Sequence, residues 1–447
     1  MVDNHYKSQD VFTPTMPAKA SFVERDALNT QLVDALETPG KQIVVYGQSG
    51  TGKTTLLINK LYPIYANRKI TSRCTIATTF EGLLLGAFDQ LDVFYASGAS
   101  IKKATDITGK IEQSYLTLKA AIEAKSSTEE QATLSRLIPP QLTPQRLAEF
   151  CGAAGCCWVL EDFHKVPTSE KAKLSQVMKV FTDTAADFPS VKVIAIGAVG
   201  TAREVIQYDP EMRNRVAEIA VPMMTVDELK AILLKGEELL KIKFGEHKDQ
   251  IAKYSSGMGA VCHQLALNIC NTANIRGTCE KETWITNGQF KDAIKRYVDD
   301  SSDTLKTVFD IALKQERSRT FDNTRIILGA LTLLGDKGGT HAQILKKIRE
   351  GSPQYPTGNL TTYLGELQTA KRGQIIRCDT ASGEFFFSDP LYLAYAQCMF
   401  VPPKEAKVGE MKLFGMTFKF DTTLFEELKI ELEKSSRKGS ISKSKPE

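Results

Sequence analysis

IVVYGQSGTGKTTLL, residues 43–57, decides how the rest of the chain is read. An apolar run ends in a glycine-rich turn, and a lysine and two threonines follow at once. Gly47 to Thr54 fits the spacing G-x-x-x-x-G-K-[ST]. In such a turn the glycines let backbone amides face an anion, and the N-terminus of the next helix adds positive potential. On this reading Gly47, Gln48, Ser49, Gly50, Thr51 and Gly52 wrap a β-phosphate. Lys53 reaches the β- and γ-phosphates, Thr54 offers its hydroxyl to Mg²⁺, and Thr55 completes the set. A chance match would lack its flanking elements. Here QIVVYG reads as a buried strand before the turn, and KTTLLINKLYPIY as a helix after it.

Working outward, SFVERDALNTQLVDAL carries Leu28, Leu32, Val33 and Leu36 at helical spacing, and Pro39-Gly40 stops that helix. Downstream, SRCTIATTF reads as a second strand and CCWVLEDFHKV as a third, ending in two acids. The segment SEKAKLSQVMKVFTDTAADF is a helix and VKVIAIGAVG a further strand. Strands alternating with helices predict an α/β fold, a parallel sheet covered on both faces. Glu161 and Asp162, at a strand tip beside the phosphates, can hold Mg²⁺ and polarise an attacking water. Asp before Glu is the commoner order, so the division of roles between them stays open.

The remaining stretches divide the chain. Residues 1–20, with Pro14 and Pro17, form an N-terminal arm, and 21–224 the nucleotide-binding core. Within that core, 97–145 is polar and helix-forming: a helical insertion, either a contact surface or a solvated hairpin. Amphipathic helices fill 225–320, an α-helical lid. Over 321–402, three short helices precede two alternating runs around Ala381-Ser382-Gly383, the order of a winged helix-turn-helix. Residues 403–447 form a C-terminal extension whose tail is too poor in apolar residues to fold.

Composition narrows the class further. At 447 residues the chain exceeds one compact domain. A formal charge of +4 permits nucleic-acid contact without demanding it. The apolar run around Cys156 to Leu160 is far below the ~18 residues that span a bilayer, and the N-terminus is polar. No membrane partner and a cytoplasmic location are expected. The 9 cysteines form no CxxC pair, which argues against a disulfide framework and a zinc site. No nucleophile elbow or metal-ligand cluster marks a second catalytic activity.

These motifs together resemble AAA+/STAND-type P-loop ATPases, in particular the origin-recognition and archaeal-ATPase branch, across residues 20–400. The resemblance implies ATP and Mg²⁺ as cofactors and an ATPase reaction giving ADP and phosphate. SFVERDALNTQL resembles the element before the P-loop, which would bring Phe22, Val23 and Arg25 near the adenine. VIAIGAVGTA resembles the sensor-1 strand, with Thr201 the first hydroxyl at its tip. DPEMRNRVAEIAVPMMTVDEL resembles the arginine-finger segment, making Arg213 or Arg215 the finger unless both merely pair with Glu211 and Glu218. SSGMGAVCHQLAL resembles the sensor-2 turn, without its proline or arginine. His263 is then either the lid histidine that meets nucleotide or a satisfied helix residue.

In the winged helix, NLTTYLGELQTA stands where a recognition helix does, with Asn359, Thr361, Thr362 and Gln368 facing outward. Lys346, Lys347, Arg349, Lys371, Arg372 and Arg377 surround it and can neutralise phosphates, interleaved with Glu350, Glu366 and Asp379. Phe385 to Phe387, Tyr392 and Tyr395 read as core. The expected function is an ATP-hydrolysing, nucleotide-controlled oligomerisation switch that engages duplex DNA, of replication or transposition initiator type. The alternative is a signal-sensing STAND ATPase, as in antiviral defence, that assembles into a homo-oligomer and recruits a separate effector protein. A nucleotide-gated scaffold with little turnover is a third possibility.

Overall fold

The computed structural model describes residues 5–65, 68–91, 142–198, 202, 210–315, 320–403, 408–413 and 416–421. Most of the 97–145 insertion, Thr201 and the tail beyond 421 lie outside the described residues. Two compact units emerge. One is Glu24–Met223; the other joins the described parts of Met1–Val23 to those of Met224–Glu447.

The chain opens with α1 (Ser8–Val11), which belongs to the second unit. The first unit follows in the order α2 (Asp26–Glu37), β1 (Gln42–Tyr46), α3 (Lys53–Tyr65), β2 (Lys69–Arg73), α4 (Phe80–Gln90), α5 (Pro144–Ala154), β3 (Cys157–Glu161), α6 (Thr168–Thr184), β4 (Lys192–Gly197) and β5 (Val216–Ala220). Its strands form one five-stranded sheet, in the order β2-β3-β4-β1-β5. Every pairing is parallel. β1, β3 and β4 are apolar along most of their length and buried, because helices cover both faces. β2 and β5 are the edge strands; β5 is buried at Val216 and Ile219 and exposed at Glu218 and Ala220.

Local chemistry sets the boundaries. Thr143 caps α5, and Gly155 ends it in the left-handed conformation (φ 60°). Trp158 is fully buried, and its indole N–H donates to Ser72 Oγ at 2.9 Å. The second strand lies earlier than SRCTIATTF, at Lys69–Arg73. Threonine hydroxyls are the reason. Thr78 Oγ1 accepts Thr75 N–H at 2.7 Å, and Thr79 Oγ1 accepts Gly82 N–H at 3.1 Å to cap α4, so these residues turn instead of pairing.

In the second unit, α7 (Val226–Leu240) starts with a capping box between Thr225 and Glu228. Then come α8 (His247–Tyr254), α9 (Gly259–Thr272) and α10 (Asn287–Asp299). The strands β6 (Ile242–Lys243) and β7 (Thr283–Trp284) pair among them. The N-terminal arm is stitched to these helices. Ser8 Oγ donates to Ile275 O at 2.8 Å, and Thr278 N–H to Tyr6 O at 2.9 Å. Phe12 is fully buried against Gly236, where a Cβ would lie 2.1 Å from its ring.

The unit continues through α11 (Asp303–Leu313), α12 (Asn323–Leu334), β8 (Gly339–Thr340), α13 (His341–Gly351), α14 (Thr357–Leu367), β9 (Ile376–Cys378), β10 (Glu384–Phe387) and α15 (Pro390–Phe400). A three-stranded antiparallel sheet of order β8-β10-β9 closes that segment. Of the aromatics expected in the core, Phe387 and Tyr395 are buried, whereas Phe385, Phe386 and Tyr392 are half-buried. A hairpin of β11 (Val408–Leu413) and β12 (Met416–Asp421) follows, in a region read from the sequence only as an extension. No described helix is long and apolar enough to cross a membrane.

Candidate nucleotide site

In the first unit, β1 and β4 are neighbours although far apart in sequence, and the strand order reverses direction there. The carboxyl ends of strands at such a switch point form the crevice where open α/β sheets bind ligands. The glycine-rich loop leaves β1 at that edge. Gly47 (φ 145°) and Gly50 (φ 78°) adopt backbone that side chains rarely take. A Cβ on Gly47 would stand 2.3 Å from Val221 O, so β5's continuation permits only glycine there. Leu56 N–H bonds to Gly52 O at 2.8 Å, starting α3 so that its N-terminal amides face the loop.

Lys53 is buried under this loop. Its ammonium donates to Gly47 O at 2.9 Å and Gln48 O at 2.5 Å. Thr51 is buried and donates to Gln48 O at 3.0 Å, bracing the turn. Gln48 and Ser49 are exposed, Thr54 and Thr55 half-buried. Burial holds the Lys53 ammonium below the usual lysine range, and the Asp162 carboxylate offsets part of that shift.

The two acids differ in surroundings. Glu161 ends β3, its backbone carbonyl accepting Cys74 N–H at 2.9 Å and its carboxylate facing Arg73 Nε at 3.5 Å. Asp162 turns into the left-handed region (φ 56°) and pairs with Lys165 at 2.8 Å. Asp162 is therefore the acid whose field reaches Lys53. Thr54, Glu161 and Asp162 offer hard oxygens, which suit Mg²⁺. Among the described residues no group of three His, Cys, Asp or Glu side chains forms a metal cage.

The other expected site residues are dispersed. Arg213 and Arg215 precede β5, and Gln42 pairs with Val216, so both lie at the sheet edge opposite the loop. The length of β1 separates them from it, about 16 Å at ~3.3 Å per residue. Arg215 is paired with Asp183 of α6 at 3.2 Å. Arg213 is exposed, with no ion pair or hydrogen bond from its side chain to other described residues. Arg25 donates to Pro222 O at 3.2 Å and Met223 O at 3.3 Å. Phe22 and Val23 are half-buried members of the second unit, where Lys235 Nζ donates to Phe22 O.

His263 also belongs to the second unit. It is 5% exposed, its Nδ1 accepts Thr13 N–H at 3.2 Å, and Phe12 meets its ring edge-on at 6.2 Å. Burial pushes its pKa down to about 4.

Residues that sequence reasoning did not single out are Arg73 and His164. Arg73 stands opposite Glu161 in the β2–β3 register. His164 Nδ1 accepts Ala198 N–H at 3.1 Å, and its pKa is lowered, chiefly by burial. The only signal in the sequence was the position of His164 just after the acids.

Around α14, several expected phosphate contacts serve the fold. Arg372 is buried, bonding Lys314 O at 2.6 Å and pairing with Glu366 at 3.2 Å. Lys347 pairs with Glu350 at 2.6 Å, and Arg349 donates to Tyr355 O at 3.2 Å. Arg377 lies over the Phe386 ring at 4.7 Å. Asn359 donates to Asn323 Oδ1 at 3.0 Å and is half-buried. Lys346 is exposed, and Thr361 and Thr362 face outward.

The first unit is thus an α/β domain with a five-stranded parallel sheet and a glycine-rich loop at the end of β1, the arrangement of a P-loop fold. No family model matches the chain, and no curated protein matches it either. Among solved structures it is similar to a Walker-type ATPase of Pyrococcus abyssi, at 15% identity and TM-score 0.43, covering 84% of this chain and 96% of that one. It is also similar to Cdc6p from Pyrobaculum aerophilum, at 14% identity and TM-score 0.40, covering 89% and 99%. A third likeness is to the Aeropyrum pernix ORC2 protein, at 11% identity and TM-score 0.45, covering 89% and 98%.

Proposed function

We propose that the chain is an ATPase of the AAA+ type that binds ATP with Mg²⁺ and uses its nucleotide state to control assembly with copies of itself. One observation carries this reading: a glycine loop at the switch point of a parallel sheet encloses Lys53, and the tip of β3, next but one to β1 in the sheet, carries Asp162, whose charge acts on Lys53. Lys53 and the loop amides would hold the phosphates, and Thr54, Glu161 and Asp162 the ion. Bound Mg²⁺ would neutralise phosphate charge; Asp162 is the better placed acid to orient water. Arg213, at the far end of the sheet and exposed, with no ion pair to other described residues, suits a finger that serves a neighbouring copy. Arg215 is occupied by Asp183.

For the segment from α12 to β10 we propose a winged helix. Duplex DNA is its expected partner, with Lys346 and Arg377 as phosphate contacts. A second reading, a switch that recruits a protein effector, draws on a specific feature. The outward face of α14 carries Thr357, Gly358, Thr361, Thr362 and Gly365, all exposed and uncharged. Steady-state ATP hydrolysis with and without duplex DNA, beside Lys53→Ala, separates these readings. Turnover lost in Lys53→Ala is expected. Stimulation by DNA supports the initiator type, and turnover indifferent to DNA supports the effector switch. A wild-type chain that binds ATP without hydrolysing it would overturn the enzyme reading.

A further inference from the structure

His164 lies outside the motifs that define the site, yet it joins two of its walls. The last paired residues of the β3–β4 ladder are Leu160 and Ala195, so no ladder bond reaches from β4 to the turn that carries Asp162. On the other side, Cys74 N–H bonds Glu161 O, which holds Glu161 toward β2. Asp162 then leaves the strand in left-handed backbone, and Lys165 N–H closes a 3-10 turn on Asp162 O at 2.9 Å. Inside that turn, His164 Nδ1 accepts the N–H of Ala198, the residue that follows β4. An Nδ1 that accepts leaves the ring proton on Nε2.

We propose that His164 is a positioning residue: through Nδ1 it ties the acid-bearing turn to the tip of β4 and thereby sets where the Asp162 carboxylate stands relative to Lys53. The inference rests on the ATPase reading above for its catalytic consequence, although the tether itself does not. Besides the imidazole, the turn is anchored by Phe163, which is buried in the same core as Val193 and Ala195 of β4; His164 Nδ1 adds a hydrogen bond that aims the turn at the strand tip. The fields of Asp162, Lys165, Lys53 and Lys171 all reach the ring, which places it among the groups that surround the phosphate site.

Two variants separate the tether from mere bulk. His164→Phe keeps a ring without an acceptor, and His164→Asn places Oδ1 where Nδ1 stood. Expected is a kcat about tenfold lower for His164→Phe, the value of one hydrogen bond, with KM changed less than about twofold. His164→Asn should recover most of that loss. Hydrogen exchange of the peptide ending at Ala198 should be faster in His164→Phe than in the wild type and near normal in His164→Asn. An unchanged kcat in His164→Phe, or equal impairment of both variants, overturns the proposal. If the wild-type chain does not turn over ATP, the ATPase reading fails and exchange alone decides. Faster exchange in His164→Phe then sustains the tether, and unchanged exchange overturns it.

Discussion

At the scale of single residues, burial does the most to separate side chains that look alike in sequence. His263 and His164 are both histidines near expected motifs, but His263 is buried on α9 of the second unit against Phe12 and Thr13, with its pKa near 4. An unfolded histidine titrates near 6.5, so below that pH the unfolded chain binds a proton that the folded chain refuses. The stabilising effect is complete above about pH 6.5 and is lost as pH falls toward 4. Between pH 7 and 5 this one group should remove about 2 kcal/mol of stability. Chemical denaturation at both pH values would detect it, and His263→Phe should abolish that part of the pH dependence. Lys53 was legible because glycine spacing marks its loop. Arg73 and His164 were not, because their roles depend on strand register and on a 3-10 turn, which no local pattern records.

At the scale of elements, periodicity identified the helices well and short strands poorly. α2 and α7 carry apolar faces at helical spacing, with Pro39-Gly40 ending one and a capping box starting the other. β2 is Lys69–Arg73, KITSR, too polar to be read as a strand until its pairing with β3 is known. β5, VAEIA, is apolar but only five residues long, and it was absorbed into the arginine-finger segment. The arm gives the sharpest element-level prediction. Gly236 on α7 exists in contact with the Phe12 ring, so Gly236→Ala forces either a shift of α7 or release of the arm. Overpacking of this kind costs roughly 1–3 kcal/mol. Limited proteolysis should cut within residues 5–23 faster in the variant, while cleavage of the Glu24–Met223 unit stays unchanged. Equal cleavage rates would mean that Phe12 does not anchor the arm.

At the scale of the whole molecule, the two ends of one sheet separate two tasks: the phosphate loop and acids at one edge, the arginines at the other. On the proposed function, an arginine finger at that end cannot reach its own loop, so each site would be completed by a neighbouring copy. Lys53→Ala and Arg213→Ala should each abolish turnover alone, whereas an equal mixture should recover about a quarter of it, from sites with both groups intact. Arg215→Ala should retain activity and lose a little stability with its exposed Asp183 pair. Recovery absent from the mixture, with the wild type active, would show that Arg213 does not act between copies. The α/β class was legible from alternating segments, but the strand order that separates these edges was not, since it depends on which distant strands meet. The arm carries one more consequence, in time. Its partners around Ile275 and Thr278 leave the ribosome long after residue 23, roughly 10–50 s later at ordinary elongation rates. During that interval the segment with Val11 and Phe12 has no native surface to cover it while the intervening unit folds, so a nascent chain stalled before residue 270 should recruit chaperones through its first 23 residues.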